Sequence, residues 1–231
     1  MEQLNNKIVV ITGFNGGLGK FVTDAFLEAG ARVIGVSRTI ASADPHRERF
    51  SAIASELSNG GNAGKLVEAV AAQWGRIDGL VHLIGGFAGG QSIADTDEAT
   101  FERMLDLNLR TAFYVIRAVL PKMRGQGSGR IIAIGSKAAL EPSPLAGVYA
   151  ASKAALVSVI RTAARENRDN HITANILLPG TMDTPANRAA MPGADFSGWV
   201  DPYQVARLAV HLMSDAASQI SGAAIPVDGG A

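Results

Sequence analysis

Tyr149 and Lys153 stand four residues apart where a helical pattern begins, and Ser136 closes the apolar run Ile131–Ile134 upstream of them. Side chains spaced by four share one face of a helix. An ammonium beside a phenol favours the phenolate, so Lys153 is expected to draw the Tyr149 pKa down from its usual value of about 10. Such a phenol can pass a proton to or from a substrate oxygen. Ser136, at the end of a strand, can give that oxygen a second hydrogen bond. Pro142 and Pro144 keep the segment between serine and tyrosine as loop rather than helix. Taken alone, Tyr-x-x-x-Lys is a common surface pair, and the remainder of the chain decides what it means.

Three residues at those positions need a scaffold that brings a strand end and a helix start together. The chain supplies one repeatedly. Lys7–Thr12 is a short β-branched run, typical of a strand buried on both faces. Thr12-Gly13-Phe14-Asn15-Gly16-Gly17-Leu18-Gly19 follows at once, and Lys20–Ala29 has helical spacing ended by Gly30. Strand, glycine turn and helix in that order present backbone N–H groups at a helix N-terminus, an arrangement that suits a pyrophosphate. Gly13 makes the tight turn, while Gly17 and Gly19 permit close approach. Arg32–Ser37 is the second strand. Arg38 sits at its carboxyl end, where an acid usually meets the ribose hydroxyls; an arginine there suits a 2′-phosphate.

Further along, Pro45 makes the helix expected within Ile40–Arg49 stunted or missing. Phe50–Ala54 reads as a weak third strand, Ala63–Trp74 as a helix and Gly79–Ile84 as a fourth strand. That strand opens into Gly85-Gly86-Phe87-Ala88-Gly89-Gly90, a loop able to lie flat on a ligand. His82 reads as a core histidine, since no second metal ligand has useful spacing. Phe101–Met123 reads as one long helix, with Asn108 in the middle of its apolar stripe, where a buried amide must find partners. Ala150–Arg165 is helical, His171–Leu178 a sixth strand, and Thr181–Trp199 irregular. Asp201 caps a helix running to about Met213, and Ala223–Val227 is a last strand. The alternation predicts an α/β fold: one Rossmann-type, doubly wound parallel sheet of about seven strands flanked by helices, a single domain over residues 1–231 with a lid after the sixth strand.

Composition excludes several classes. The 231 residues are 47% hydrophobic and 18% charged, with zero net charge and no basic block, so nucleic acid is not an expected partner. Cysteine is absent, which removes disulfides, thiol nucleophiles and thiolate metal sites. The first residues lack the pattern of a signal peptide, and no apolar run reaches the roughly 18 residues of a membrane span. A cytoplasmic protein acting on a small molecule, without metal or membrane contact, is expected.

Read together, these residues resemble the short-chain dehydrogenase/reductase family over essentially the whole chain. The matching pieces are the Thr12–Gly19 loop, Asn108, Ser136, Tyr149-x-x-x-Lys153, Pro179-Gly180 with Thr184, and Pro226-Val227-Asp228-Gly229-Gly230. Ser136 precedes Tyr149 by 13 positions, a spacing usual in that family. The resemblance implies hydride transfer between a nicotinamide cofactor and a carbonyl or alcohol, with Tyr149 as general acid/base, Ser136 orienting the substrate oxygen and Lys153 holding the ribose. Asn108 is expected to hold a water linking Lys153 to solvent. Cofactor contacts are expected from Gly13, Asn15, Gly16, Gly17, Leu18, Gly19, Ser37, Arg38, Glu56, Leu57, Ile84, Gly85, Gly86, Tyr149, Lys153, Pro179, Gly180, Met182 and Thr184. Arg38 points to NADP(H) in preference to NAD(H). Two departures stand out: His82-Leu83-Ile84-Gly85 replaces the family's Asn-Asn-Ala-Gly, and Glu56 stands for an expected aspartate.

A closer resemblance is to dihydropteridine reductases, through Gly85–Gly90, Lys137-Ala138-Ala139-Leu140 and the segment Met182–Trp199. Arg38 and Ser136 run against it. Pterin reduction therefore stands as an alternative, as does a dinucleotide-binding sensor without catalysis. Phe87, Met191, Phe196 and Trp199, with Ser136, are the expected substrate contacts. Aromatic walls favour a planar cyclic carbonyl, quinonoid or pterin-like substrate. A homodimer or homotetramer is expected, paired through the helices carrying Asn108 and Tyr149.

Overall fold

The computed structural model describes residues 3–40 and 47–229. Most of the stretch expected to hold a stunted helix, 41–46, lies outside the described residues, as does Gly230.

Seven strands form one parallel sheet: β1 (Ile8–Thr12), β2 (Arg32–Ser37), β3 (Phe50–Ala54), β4 (Gly79–His82), β5 (Gly129–Ile134), β6 (Ile172–Pro179) and β7 (Ala224–Val227). Their spatial order is β3-β2-β1-β4-β5-β6-β7. β1 pairs with β2 on one side (Val9 opposite Val33) and β4 on the other (Val10 opposite Leu80). The chain thus builds outward from β1 in one direction, then returns to build in the other. The crevice where strand order reverses opens at the carboxyl ends of β1 and β4.

The hydrophobic runs explain the layers. β1 and β6 are buried along their whole length, as expected where both sheet faces are covered. On one face, α1 (Gly19–Glu28) and α7 (Pro202–Met213) bury Val22, Phe26, Val205 and Ala209 against Val9, Ile11 and Val33. On the other, α2 (Gly60–Trp74), α4 (Thr111–Gln126) and α5 (Gly147–Glu166) bury Leu66, Val115 and Leu156 against Ile34, Leu80 and Ile131. Each fully buried side chain of this size contributes about 1.5–3 kcal/mol by leaving water. Asn59 and Asp201 cap α2 and α7 by accepting from Asn62 N and Tyr203 N.

Two elements differ from the sequence reading. The helix expected over Phe101–Met123 is α3 (Glu98–Leu105) and α4 joined by a π-helical turn, Asp106–Arg110. The segment after β6 is not irregular throughout. Thr184 caps a six-residue helix, α6 (Pro185–Ala190), and Met182 forms a bridge with Val200 that closes the lid's base.

Candidate active site

β5 ends at Ile134, and Gly135 N donates to Leu177 O at 2.8 Å, so the backbone leaves the sheet at a fixed point. Ser136 comes next. Its Oγ accepts from Ala138 N at 3.2 Å and starts a short 3₁₀ turn, Lys137–Ala139. α5 then carries Tyr149 and Lys153 back to the same strand end. Lys153 is 5% exposed, and its Nζ donates to Ile134 O at 3.0 Å. Burial of that ammonium lowers its pKa to about 8.

Tyr149 departs from expectation. Burial pushes its phenol above the ordinary value, and hydrogen bonding with Ser136 opposes that rise only in part. Spacing alone suggests that the lysine charge dominates. In the folded chain loss of solvent around the ring is the larger influence, and the phenol pKa moves up rather than down.

Asn108 lies on the π-turn and is fully buried. Its Oδ1 accepts from Gly86 N at 2.8 Å, and its Nδ2 donates to Gly86 O and to Ser152 Oγ, both at 3.0 Å. The side chain of Asn108 thus ties the glycine loop to α5. Ser152, absent from the sequence-based site, completes this brace by donating to Tyr149 O at 2.7 Å. A serine one position before the lysine carried no pattern that would have singled it out. Gly85 passes directly over the pair. A Cβ there would lie 2.9 Å from Asn108 Oδ1 and 3.1 Å from Lys153 Nζ.

The glycine loop after β1 has the shape of an anion cradle. Gly13 has φ +73°, and its N–H donates to Val36 O at 2.7 Å. Gly16 N returns to Gly13 O, and Gly19 N to Gly16 O. Gly17 N and Leu18 N have no protein partner among the described residues, and they precede α1. A Cβ on Gly17 would meet only Thr184, at ordinary contact distance, so protein packing alone does not demand glycine there. Ser37 Oγ donates to Asn15 Oδ1 at 2.7 Å, and Asn15 Nδ2 donates to Thr39 O at 3.1 Å. These two side chains hold the end of β2 against the loop, beside exposed Arg38. These features fit a dinucleotide: free N–H groups for a pyrophosphate, a cation nearby, and a glycine-floored space against Lys153.

Two of the expected contacts, Leu57 and Glu56, follow β3. The Leu57 side chain is 2% exposed and sits in the core with Ile34 and Leu66. Glu56 faces solvent, its carbonyl taken by Asn62 Nδ2 at 2.7 Å. Ile84 lies along Gly13, and Pro179-Gly180 leads from β6 into the lid, with Gly180 N donating to Val227 O. Met182 O accepts from Asn187 Nδ2, and Thr184 Oγ1 from Asn187 N, so both secure the lid.

On the substrate side, the Phe87 ring stands edge-on to Tyr149, centroids 5.0 Å apart. It is 68% exposed and rests over Gly89. Leu145, also exposed, has φ +63° and accepts from Gly90 N at 2.8 Å, fixing the glycine loop's far end. Met191 is exposed on the lid. Phe196 and Trp199 pack on each other, centroids 4.6 Å apart, and Arg188 covers Phe196 while pairing with both oxygens of Asp183. Their rings stabilise the lid itself. Phe87 alone of the four aromatic or sulfur side chains touches Tyr149 among the contacts described.

The whole arrangement has counterparts among known proteins. The sequence profile described as short chain dehydrogenase matches residues 7–194. An uncharacterized oxidoreductase of Bacillus subtilis is 33% identical, over 99% of this chain and 97% of its own. The 3-oxoacyl-[acyl-carrier-protein] reductase of rhamnolipid biosynthesis from Pseudomonas aeruginosa is 30% identical, over 99% of this chain and 97% of its own. A crystal structure of a 3-ketoacyl-(acyl-carrier-protein) reductase from Brucella melitensis, complexed with NADH, superposes with a TM-score of 0.88 at 28% identity, covering 98% of each chain.

Proposed function

The chain belongs to the short-chain dehydrogenase/reductase family of oxidoreductases, and on that premise we propose that it moves hydride between NAD(P)(H) and a carbonyl or alcohol, with Tyr149 as the proton-transfer group. The observation that carries this reading is the convergence of Ser136, Tyr149 and buried Lys153 on the end of β5, under a loop whose Gly85 leaves the space above the lysine open.

A bound nicotinamide supplies or accepts the hydride. The protein's groups do the rest. Ser136 donates a hydrogen bond to the substrate oxygen. In reduction, Tyr149 gives its proton to that oxygen as carbon receives hydride, and the C=O becomes H–C–O–H. In oxidation both transfers reverse. The raised phenol pKa keeps the donor protonated near neutrality, which suits reduction. Lys153, anchored on Ile134 O, is placed to hold the nicotinamide ribose and restore the tyrosine's proton. Gly17, Leu18, Asn15 and Ser37 form the phosphate and ribose side. Arg38 favours the 2′-phosphate of NADP(H).

Phe87 beside Tyr149 supports a planar ring substrate, which its face or edge can stack upon. The decisive experiment is a parallel screen with NADPH and NADH over quinonoid dihydropterin, bicyclic ketones, quinones and short aliphatic ketones. Ring substrates turned over with NADPH are expected, with Phe87→Ala lowering their kcat/KM and Arg38→Asp removing the NADPH preference. A best rate on the aliphatic ketone overturns the ring reading. NADPH binding by fluorescence with no turnover anywhere identifies a sensor instead.

A further inference from the structure

His82 stands where the family pattern has an asparagine, and the structure gives its ring two partners. Nδ1 lies 2.9 Å from Thr12 Oγ1 and Nε2 lies 3.4 Å from Thr111 Oγ1. All three residues are buried. Thr12 is the last residue of β1 before the cofactor loop. Thr111 is the first residue after the π-turn that carries Asn108.

Hydrogen counting fixes the tautomer. The Thr111 hydroxyl donates its one proton to Leu107 O at 2.8 Å, inside the π-turn. Toward His82 it can then only accept, so Nε2 bears the ring proton. Nδ1 is left as an acceptor, and Thr12 donates to it. Thr12 Oγ1 in turn accepts from Leu83 N at 3.3 Å. The chain of donors closes without conflict: Leu83 N–H to Thr12, Thr12 to His82, His82 to Thr111, Thr111 to Leu107 O. A cationic ring has a proton on Nδ1 as well, so Thr12 would have to accept there and send its own proton elsewhere. Burial, with the Lys153 charge nearby, holds the pKa at about 3, which keeps the ring neutral.

β4 and the glycine loop are thereby held to the π-turn and the first residue after it at two points, His82–Thr111 and Gly86–Asn108, with Leu83, Ile84 and Gly85 between them. Gly85 is the residue lying over Lys153 Nζ. We propose that His82 is a positioning residue: as the neutral Nε2–H tautomer it sets the π-turn against the glycine loop and so fixes the height of Gly85 and Asn108 above Lys153. An asparagine side chain is shorter than a histidine ring, so the histidine and Thr111 act as a matched pair in this chain.

The kinetic arm rests on the catalytic reading above; the tautomer arm does not. ¹⁵N NMR of the histidine-labelled protein without cofactor is expected to show a buried ring protonated at Nε2 and not at Nδ1, absent in His82→Leu. An Nδ1–H or doubly protonated ring overturns the proposal. In the reaction, His82→Leu and Thr111→Val are each expected to lower kcat about tenfold or more per nucleotide-titrated site. Their effects should be non-additive in the double variant, since both break one link. His82→Gln, which retains a donor and an acceptor, should recover most of the loss. Unchanged kcat per titrated site in both single variants, or additive losses, reduces His82 to packing. If Tyr149→Phe retains full activity, the catalytic reading fails and the tautomer result still stands or falls alone.

Discussion

Replacing Tyr149 by phenylalanine removes one oxygen and little volume, so the ring's edge contact with Phe87 survives while the proton donor does not. Tyr149→Phe is expected to bind NADPH with near-unchanged affinity and to lose about 10²–10⁴-fold in turnover, the usual share of a positioned general acid. Fluorescence titration beside steady-state assay checks both halves. Lys153 makes a separate prediction through its buried ammonium. Its pKa is about 8 in the folded chain against 10.5 unfolded. Between those values the unfolded chain binds more protons, so stability rises with pH across that window. Below about pH 8 the burial penalty is present in full. Tyr149, shifted upward, acts with the opposite sign and only once pH passes the unfolded phenol's value of about 10. Urea unfolding of the cofactor-free protein between pH 8 and 10 therefore reads the lysine. Wild type should gain stability relative to Lys153→Met as pH rises, and parallel curves for the two refute the buried charge.

The π-turn is the element on which the site's geometry depends most. Asn108→Leu keeps the bulk of the side chain but orphans Gly86 N–H, Gly86 C=O and the Ser152 hydroxyl contact. A loss of about 1–3 kcal/mol in unfolding free energy is expected from the abandoned polar groups. The urea midpoint measures it, and a change within error shows that water replaces the amide at no cost. The strand–glycine–helix unit of β1 and α1 was legible because buried parallel strands read as β-branched runs and the turn needs glycine. The π-turn was not. One inserted residue shifts the phase of an apolar stripe without changing its composition, so Phe101, Met104 and Leu105 join Val115 and Val119 in one apparent helix. The burial of the Leu57 side chain is not legible from its position after β3, which says nothing about which way a side chain turns. The six residues of α6 are too few for a periodic pattern, and only Thr184 before Pro185 hinted at a cap. Gathering Ser136, Asn108, Tyr149 and Lys153 at one strand end follows from topology, whereas the direction of the Tyr149 shift depends on burial that spacing does not encode.

At the scale of the whole molecule, the helices bearing the site also present an outer face. Phe101 on α3 and Phe113 on α4 are 43% and 44% exposed, and Arg117 stacks over Phe113 and Tyr114. Among the described residues no helix is long and apolar enough to cross a membrane. We expect two or four copies of the chain to pair across it. Light scattering at micromolar concentration should give a multiple of the 24.0 kDa chain mass, and Phe113→Glu should shift it toward the monomer; a monomeric wild type rejects the pairing. The crevice between β1 and β4 has a consequence for inheritance as well. Arg38, Ser37 and the Gly13–Gly19 turn all precede β4 in the chain, while Asn108, Ser136, Tyr149 and Lys153 all follow it. On the proposed roles, nucleotide choice and reaction chemistry sit on consecutive stretches of one gene, separable by a single crossover near residue 75. A chimera taking its first segment from an NADH-using relative should exchange the nucleotide and keep the substrate, which makes cofactor preference the trait most readily traded as such a lineage diversifies.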